Sequence, residues 1–291
     1  MSTFPPPTTA PAGWYPDPTN GGTRYFDGRM WAPLQPVFEE REAHPHLPLA
    51  AAIGALGVLL GSLLVGRTLG ALVAEVAPDV VGFAVAVMLG YGPSVAWAWY
   101  VVRRWGGGRP SAVGVKFRWA DLGWGPLTWL SAVACQLVMY GVVVLFHIPL
   151  ASNVEDVSDP DITRVYQVAT IVAAVVAAPL VEELIFRGVV LRGFLSRMGP
   201  VPAIALQGVI FGFAHSDPTR GAGNLGLGLI LSAVGVALGT SAYLMRRIGP
   251  TVVAHAIFNG VVLAIILSGI LDDADKELGH IAGWLAAIPM L

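Results

Sequence analysis

Seven long apolar runs, at roughly residues 47–66, 80–102, 124–148, 164–191, 200–215, 223–245 and 250–271, leave this chain one class of solution. A run near 20 apolar residues crosses a hydrocarbon core as a helix, whereas open strands there could not pair their backbone groups. The expected fold is an all-α polytopic membrane protein of about seven transmembrane helices, the fifth of them short. Charged residues are 12% of the chain and mean hydropathy is +0.67, more apolar than a water-exposed surface tolerates. A net charge of −2 gives no footprint for nucleic acid or another strongly charged partner. The single cysteine, Cys135, lies in an apolar run and cannot form an intramolecular disulfide.

The first 46 residues are of a different kind, rich in Pro, Gly and aromatics. Short aromatic segments around Trp14, Tyr15, Tyr25, Phe26 and Trp31 are separated by prolines and by the Asn20, Gly21, Gly22 turn signal. Two or three brief strands closing on an aromatic cluster are expected. The domain plan is a small β-type module and linker over 1–46, then a transmembrane helical domain over 47–291. No basic region precedes an apolar core at the N-terminus, so a cleaved signal peptide is not expected.

Basic residues set the orientation. Arg103, Arg104, Arg109, Lys116 and Arg118 follow the second run, Arg192 and Arg197 the fourth, and Arg246 and Arg247 the sixth. All share one side if the N-terminus is cytoplasmic, which predicts a multi-pass membrane protein with its N-terminus inside. The other side then carries Glu155, Asp156, Asp159 and Asp161 and the tail with Asp272, Asp273 and Asp275. Residues 113–124 read as an interfacial segment, and 280–291 as an apolar stretch too short to cross.

Against this background, Glu182 and Glu183 stand out. A carboxylate at bilayer depth costs roughly 2.5 to 3.5 kcal/mol on insertion scales, and here two are adjacent. Helical spacing puts Glu183 beside Arg187 in the favourable order for an ion pair, while Glu182 points elsewhere without a partner on its own helix. The same four-residue spacing joins Phe211 to His215 and His255 to Asn259 on two further runs. Counting along the helices separates Glu182 from His215 in depth unless the fourth helix runs on to about Arg197 and the fifth starts near Pro200. The site would then fall in the half of the bilayer nearer the basic loops.

These three segments carry a resemblance. Glu182, Glu183 and Arg187, then Phe211 and His215, then His255 and Asn259, resemble the successive motifs of the CAAX prenyl protease and bacteriocin-processing (Abi) family of intramembrane proteases, over about residues 164–270. Residues 11–40 look like a short tryptophan-rich domain of unknown function at the N-terminus of bacterial membrane proteins, which implies a docking or regulatory role with a protein partner. The protease resemblance implies hydrolysis of a peptide bond of a membrane-embedded peptide or protein. It implies that Glu182 and His215 activate water, that His255 and Asn259 donate to the oxyanion, and that Glu183, Arg187 and Phe211 support them. It leaves metal use open. Glu182, His215 and His255 are the donors for one divalent ion such as zinc, although no His-Glu-x-x-His pattern is present. A non-catalytic membrane scaffold and a proton-coupled transporter are the alternatives, though no convincing internal repeat supports the latter.

Overall fold

A computed structural model describes residues 11–16, 23–31, 47–151 and 161–268. The Asn20 to Gly22 turn, the acidic residues 155, 156 and 159, the acidic tail and residues 280–291 lie outside the described residues. By its internal contacts the chain divides into two units, Met1–Ala43 and His44–Leu291.

In the first unit, strands β1 (Gly13–Pro16) and β2 (Thr23–Phe26) pair antiparallel, with Trp14 opposite Tyr25 and Tyr15 opposite Arg24. Alternation along a strand sends Trp14 and Tyr25 to one face, where Trp14 stays 71% exposed. Tyr15, Phe26 and Trp31 pack together on the other, with ring centroids 5.3 to 6.4 Å apart. Asp27 closes the following turn by accepting from the Arg29 and Met30 backbone N–H groups, both at 2.7 Å.

The second unit is helical: α1 (Leu49–Ala74), α2 (Asp79–Arg104), α3 (Asp121–Leu145), α4 (Arg164–Phe194), α5 (Pro200–Phe213), α6 (Gly223–Met245) and α7 (Gly249–Leu267). Six are long and apolar enough to cross a membrane. The short run at 200–215 contributes α5, whose 14 residues span only about 21 Å. Outward faces carry Leu60, Leu64 and Leu72 on α1 and Leu127, Leu130 and Val138 on α3, all of them exposed. Such surfaces match lipid, not water.

Small residues let the helices approach closely. A Cβ on Gly66 would sit 2.6 Å from the Ala86 carbonyl oxygen, which fixes how near α1 can lie to α2. The tightly packed α5 and α6 meet at Gly212, where a Cβ would collide with the Gly228 carbonyl and with Ser232. In α6, 61% of the most apolar stretch is buried, against 17% in α2, so α6 is central and α2 peripheral.

The segment before α3 does more than lie on a surface. Ala112 and Val113 are buried, and Asp121, fully buried at the start of α3, pairs with Arg247 at 2.6 Å and accepts from the Arg118 N–H. Ile248 N–H donates to the Gly114 carbonyl, so this loop is stitched to the α6–α7 turn. Phe117 and Trp119 remain exposed beside it.

The helix α4 departs most from regularity. It is α-helical over Arg164–Val172, π-helical over Ala173–Ala177, α-helical over Ala178–Glu183, π-helical over Leu184–Val190 and α-helical again over Leu191–Phe194. Pro179 accounts for the first bulge: it has no N–H for the carbonyl four residues back, at Val175, and its ring would clash there. Widening the turn relieves both problems, and such π-segments concentrate at functional sites.

Candidate active site

The two glutamates occupy the six-residue α-helical stretch between these π-segments, and both are buried. They face different neighbours, as a separation of about 100° requires. Glu183 Oε1 accepts from Arg187 Nη1 at 2.8 Å and from His255 Nδ1 at 3.0 Å. Arg187, 1% exposed, also donates to the Gly235 carbonyl at 3.3 Å and lies over the Phe211 ring at 4.2 Å. A buried guanidinium is tolerable only with such compensation, so Glu183 and Arg187 form a structural pair that ties α4 to α6 and α7.

Glu182, without a partner on its own helix, finds its partners on other parts of the bundle. Tyr91 of α2 donates its hydroxyl to Glu182 Oε1 at 2.9 Å. His215, just beyond α5, brings Nε2 to 3.6 Å from Glu182 Oε2. That oxygen is buried and has no hydrogen-bond partner among the described residues. His215 Nδ1 lies 2.9 Å from the Phe211 carbonyl, which can only accept, so Nδ1 carries the ring proton. In the neutral ring Nε2 is then a lone pair aimed at Glu182.

Depth is resolved by the turn between α4 and α5. From Glu182 to Phe194 is about 18 Å of helix, and from Pro200 to His215 about 22 Å in the opposite direction. The two climbs nearly cancel. α4 ends at Phe194, and Arg197 lies in the turn, its N–H bonded to the Phe194 carbonyl. Tyr91 sits near the middle of α2, so its contact with Glu182 lies at about mid-height of that helix.

Phe211 is the wall between the imidazoles, its centroid 4.9 Å from the His215 ring and 6.3 Å from the His255 ring. His255 is fully buried, held by Glu183 through Nδ1, and its Nε2 is without a partner among the described residues. Asn259, also fully buried, donates from Nδ2 to the Ala174 carbonyl at 2.8 Å. Ala174 lies in the first π-segment, where the widened turn changes the backbone pairing and presents this carbonyl to α7.

A cavity of about 310 Å³ opens onto the pair. Glu182, Tyr91, Thr170, His215, Arg67 and Arg220 are among its polar lining residues, with Leu59, Leu63, Val87 and Phe186 among the apolar walls. His255 and Asn259 stand behind this surface. At the rim, Arg67 pairs with Asp217 at 2.6 Å, and Arg220 donates to the His215 carbonyl at 3.2 Å. Asp217 also accepts from the Thr219 hydroxyl and N–H, and these bonds, with the one from Arg67, hold its carboxyl well below the usual range.

Catalytic zinc takes three protein ligands. Among the described residues no three His, Cys, Asp or Glu side chains converge to hold a metal ion. Glu182 and His215 face each other, but His255 is turned onto Glu183, so these three side chains as placed do not fit a three-ligand site.

Sequence reasoning missed Tyr91, Arg67 and Arg220. A phenol at the centre of a span, away from the interfacial belts where tyrosines concentrate, was the available signal for Tyr91.

Comparison with known families agrees with the motif reading. Residues 164–261 match the family described as type II CAAX prenyl endopeptidase, Rce1-like. Residues 12–35 match a family described as a protein of unknown function, DUF2510. No curated protein and no solved structure matches the chain.

Proposed function

From the match of residues 164–261 to the Rce1-like CAAX prenyl endopeptidase family, we propose that this chain hydrolyses a peptide bond of a membrane-associated peptide or protein inside its helical bundle. The carrying observation is the buried approach of Glu182 Oε2 to His215 Nε2, 3.6 Å apart on the wall of a cavity. That gap is too long for a good direct hydrogen bond. A water beside the pair, about 2.8 Å from each atom, would donate one proton to each.

In this mechanism Glu182 takes the water proton as the oxygen attacks the scissile carbonyl. The resulting tetrahedral intermediate carries an oxyanion, and Glu182 returns the proton to the leaving amine as the carbon–nitrogen bond breaks. His215 orients the water through Nε2 and is locked in register by the Phe211 carbonyl. The role of His255 and Asn259 is stabilisation of the oxyanion. His255 donates from Nε2 when both ring nitrogens carry protons; Glu183 Oε1 then faces both it and Arg187, and the oxyanion supplies the second negative charge. Since neither residue lines the cavity, substrate entry must bring the scissile carbonyl past Phe211 toward them. The basic loops lie in the cytoplasm in this reading, and the N-terminal module is a site for a protein partner.

The test uses purified protein in detergent with a farnesylated Cys-aliphatic-aliphatic-X reporter peptide, alongside membrane peptide profiles of wild-type and Glu182→Gln cells. Removing a general base costs about 10² to 10⁴ in rate, so Glu182→Gln should abolish cleavage and erase specific peptides. Unchanged reporter cleavage and an unchanged profile would exclude Glu182 as the base.

A further inference from the structure

The family match begins at residue 164, yet one hydrogen bond to the proposed base comes from far outside it. We propose that Tyr91 is a positioning residue for Glu182: its hydroxyl occupies Oε1 at 2.9 Å and thereby commits Oε2 to the water facing His215. This inference rests on the proteolytic reading of the site and adds to it a member contributed by α2.

The geometry carries the assignment. A carboxylate on a helix can rotate about its terminal bond and present either oxygen, and a buried base that rotates loses its alignment. One donor on one oxygen removes that freedom. Tyr91 is the side chain that supplies such a donor from α2, and it reaches Glu182 across the cavity wall that both residues line. The stretch Gly90, Tyr91, Gly92, Pro93 suits the task. Gly90 lies against α1, where the Ser62 hydroxyl donates to its carbonyl at 2.6 Å, so the backbone beside Tyr91 is anchored. The bond also has a chemical consequence. A phenol donating to a carboxylate stabilises the charged form, the form that can accept a proton from water, and this lever is separate from packing.

Other charged and titratable groups act on Glu182 and must be held constant: His215 beyond α5, His255 on α7 and Arg187 on its own helix. Tyr91→Phe leaves all of them in place and removes one oxygen atom. The experiment labels the full-length protein in detergent with dicyclohexylcarbodiimide, a hydrophobic reagent that adds to protonated carboxyl groups, and reads the Glu182 adduct by mass spectrometry across pH. Glu182→Gln identifies the adduct, and Tyr100→Phe, an exposed tyrosine on the same helix, is the control.

In Tyr91→Phe the half-labelling pH should rise by about one unit, the size of one hydrogen bond to a charged group. The control should follow wild type. Incorporation of 3-fluorotyrosine strengthens the phenol as a donor without removing it and should shift labelling the opposite way, which keeps the test decisive if the Phe variant fails to fold. Coincident labelling curves for folded wild type and Tyr91→Phe, or no response to fluorotyrosine, would overturn the proposal. With the farnesylated reporter, Tyr91→Phe should lower kcat about tenfold while KM stays within about twofold, because alignment of the base and not binding is lost. If wild type leaves the reporter uncut, the prenyl-peptide assignment fails while the labelling result still decides the role of Tyr91.

Discussion

At the residue scale the two adjacent glutamates have different partners, and in the proposed mechanism only Glu182 takes part in the chemistry. Glu182 has one oxygen anchored by Tyr91 and the other facing His215, while Glu183 neutralises a buried arginine and holds a histidine. Identical substitutions should therefore have opposite signatures. Glu182→Gln keeps an oxygen for the Tyr91 hydroxyl, so stability should change by no more than about 1 kcal/mol while activity is lost. Glu183→Gln leaves Arg187 without its counter-charge at a site sealed from solvent, which costs about 3 to 5 kcal/mol. Thermal unfolding of the detergent-solubilised variants, paired with reporter cleavage, checks both halves. A large stability loss in Glu182→Gln with none in Glu183→Gln would reverse the assignment.

At the scale of the element, two irregularities position the site. The π-segments of α4 insert extra residues into the turn, and each extra residue rotates the remainder of the helix by about 100°, so an ideal helix would not present Glu182 and Ala174 to their present neighbours. Gly212, three residues before His215, sets the second constraint by permitting α5 to touch α6. Gly212→Ala should push the helices apart, lowering stability by about 1 to 3 kcal/mol and displacing His215 from Glu182. The expected readouts are a lower unfolding temperature and a fall in kcat larger than the change in KM. The glycine in the Phe211 to His215 motif is thus explained by packing.

On the scale of the whole molecule, the cavity rim is closed by a contact between distant parts of the chain, Arg67 on α1 and Asp217 after α5. Because the Asp217 carboxyl is held below its ordinary value in the folded protein, it stabilises the fold fully above the unfolded value near pH 4 and loses that contribution as pH falls toward the folded value. Asp217→Asn should lower the unfolding temperature at about pH 6 to 7, and the difference from wild type should shrink below about pH 4. The loss should be modest, since Arg67 is largely exposed and solvent screens the pair. An equal difference at every pH would point to the turn geometry in place of the charge.

Much of this protein is legible one residue after another. Run length and hydropathy specify helices that cross a membrane, because unpaired backbone groups are intolerable there. Four-residue spacing correctly pairs Glu183 with Arg187 and puts His215 four residues beyond Phe211, since both relations are local to a helix. The aromatic alternation of the first unit likewise yields a hairpin, with Tyr15, Phe26 and Trp31 on its packed side. What no local pattern contains is contact between helices. Tyr91 meets Glu182 from 91 residues away, Asn259 reaches a carbonyl that a π-turn presents, and Arg67 finds Asp217 across the rim. Those meetings depend on how closely glycine-lined helices pack and on where a proline widens a turn, and both are settled only when the bundle is assembled.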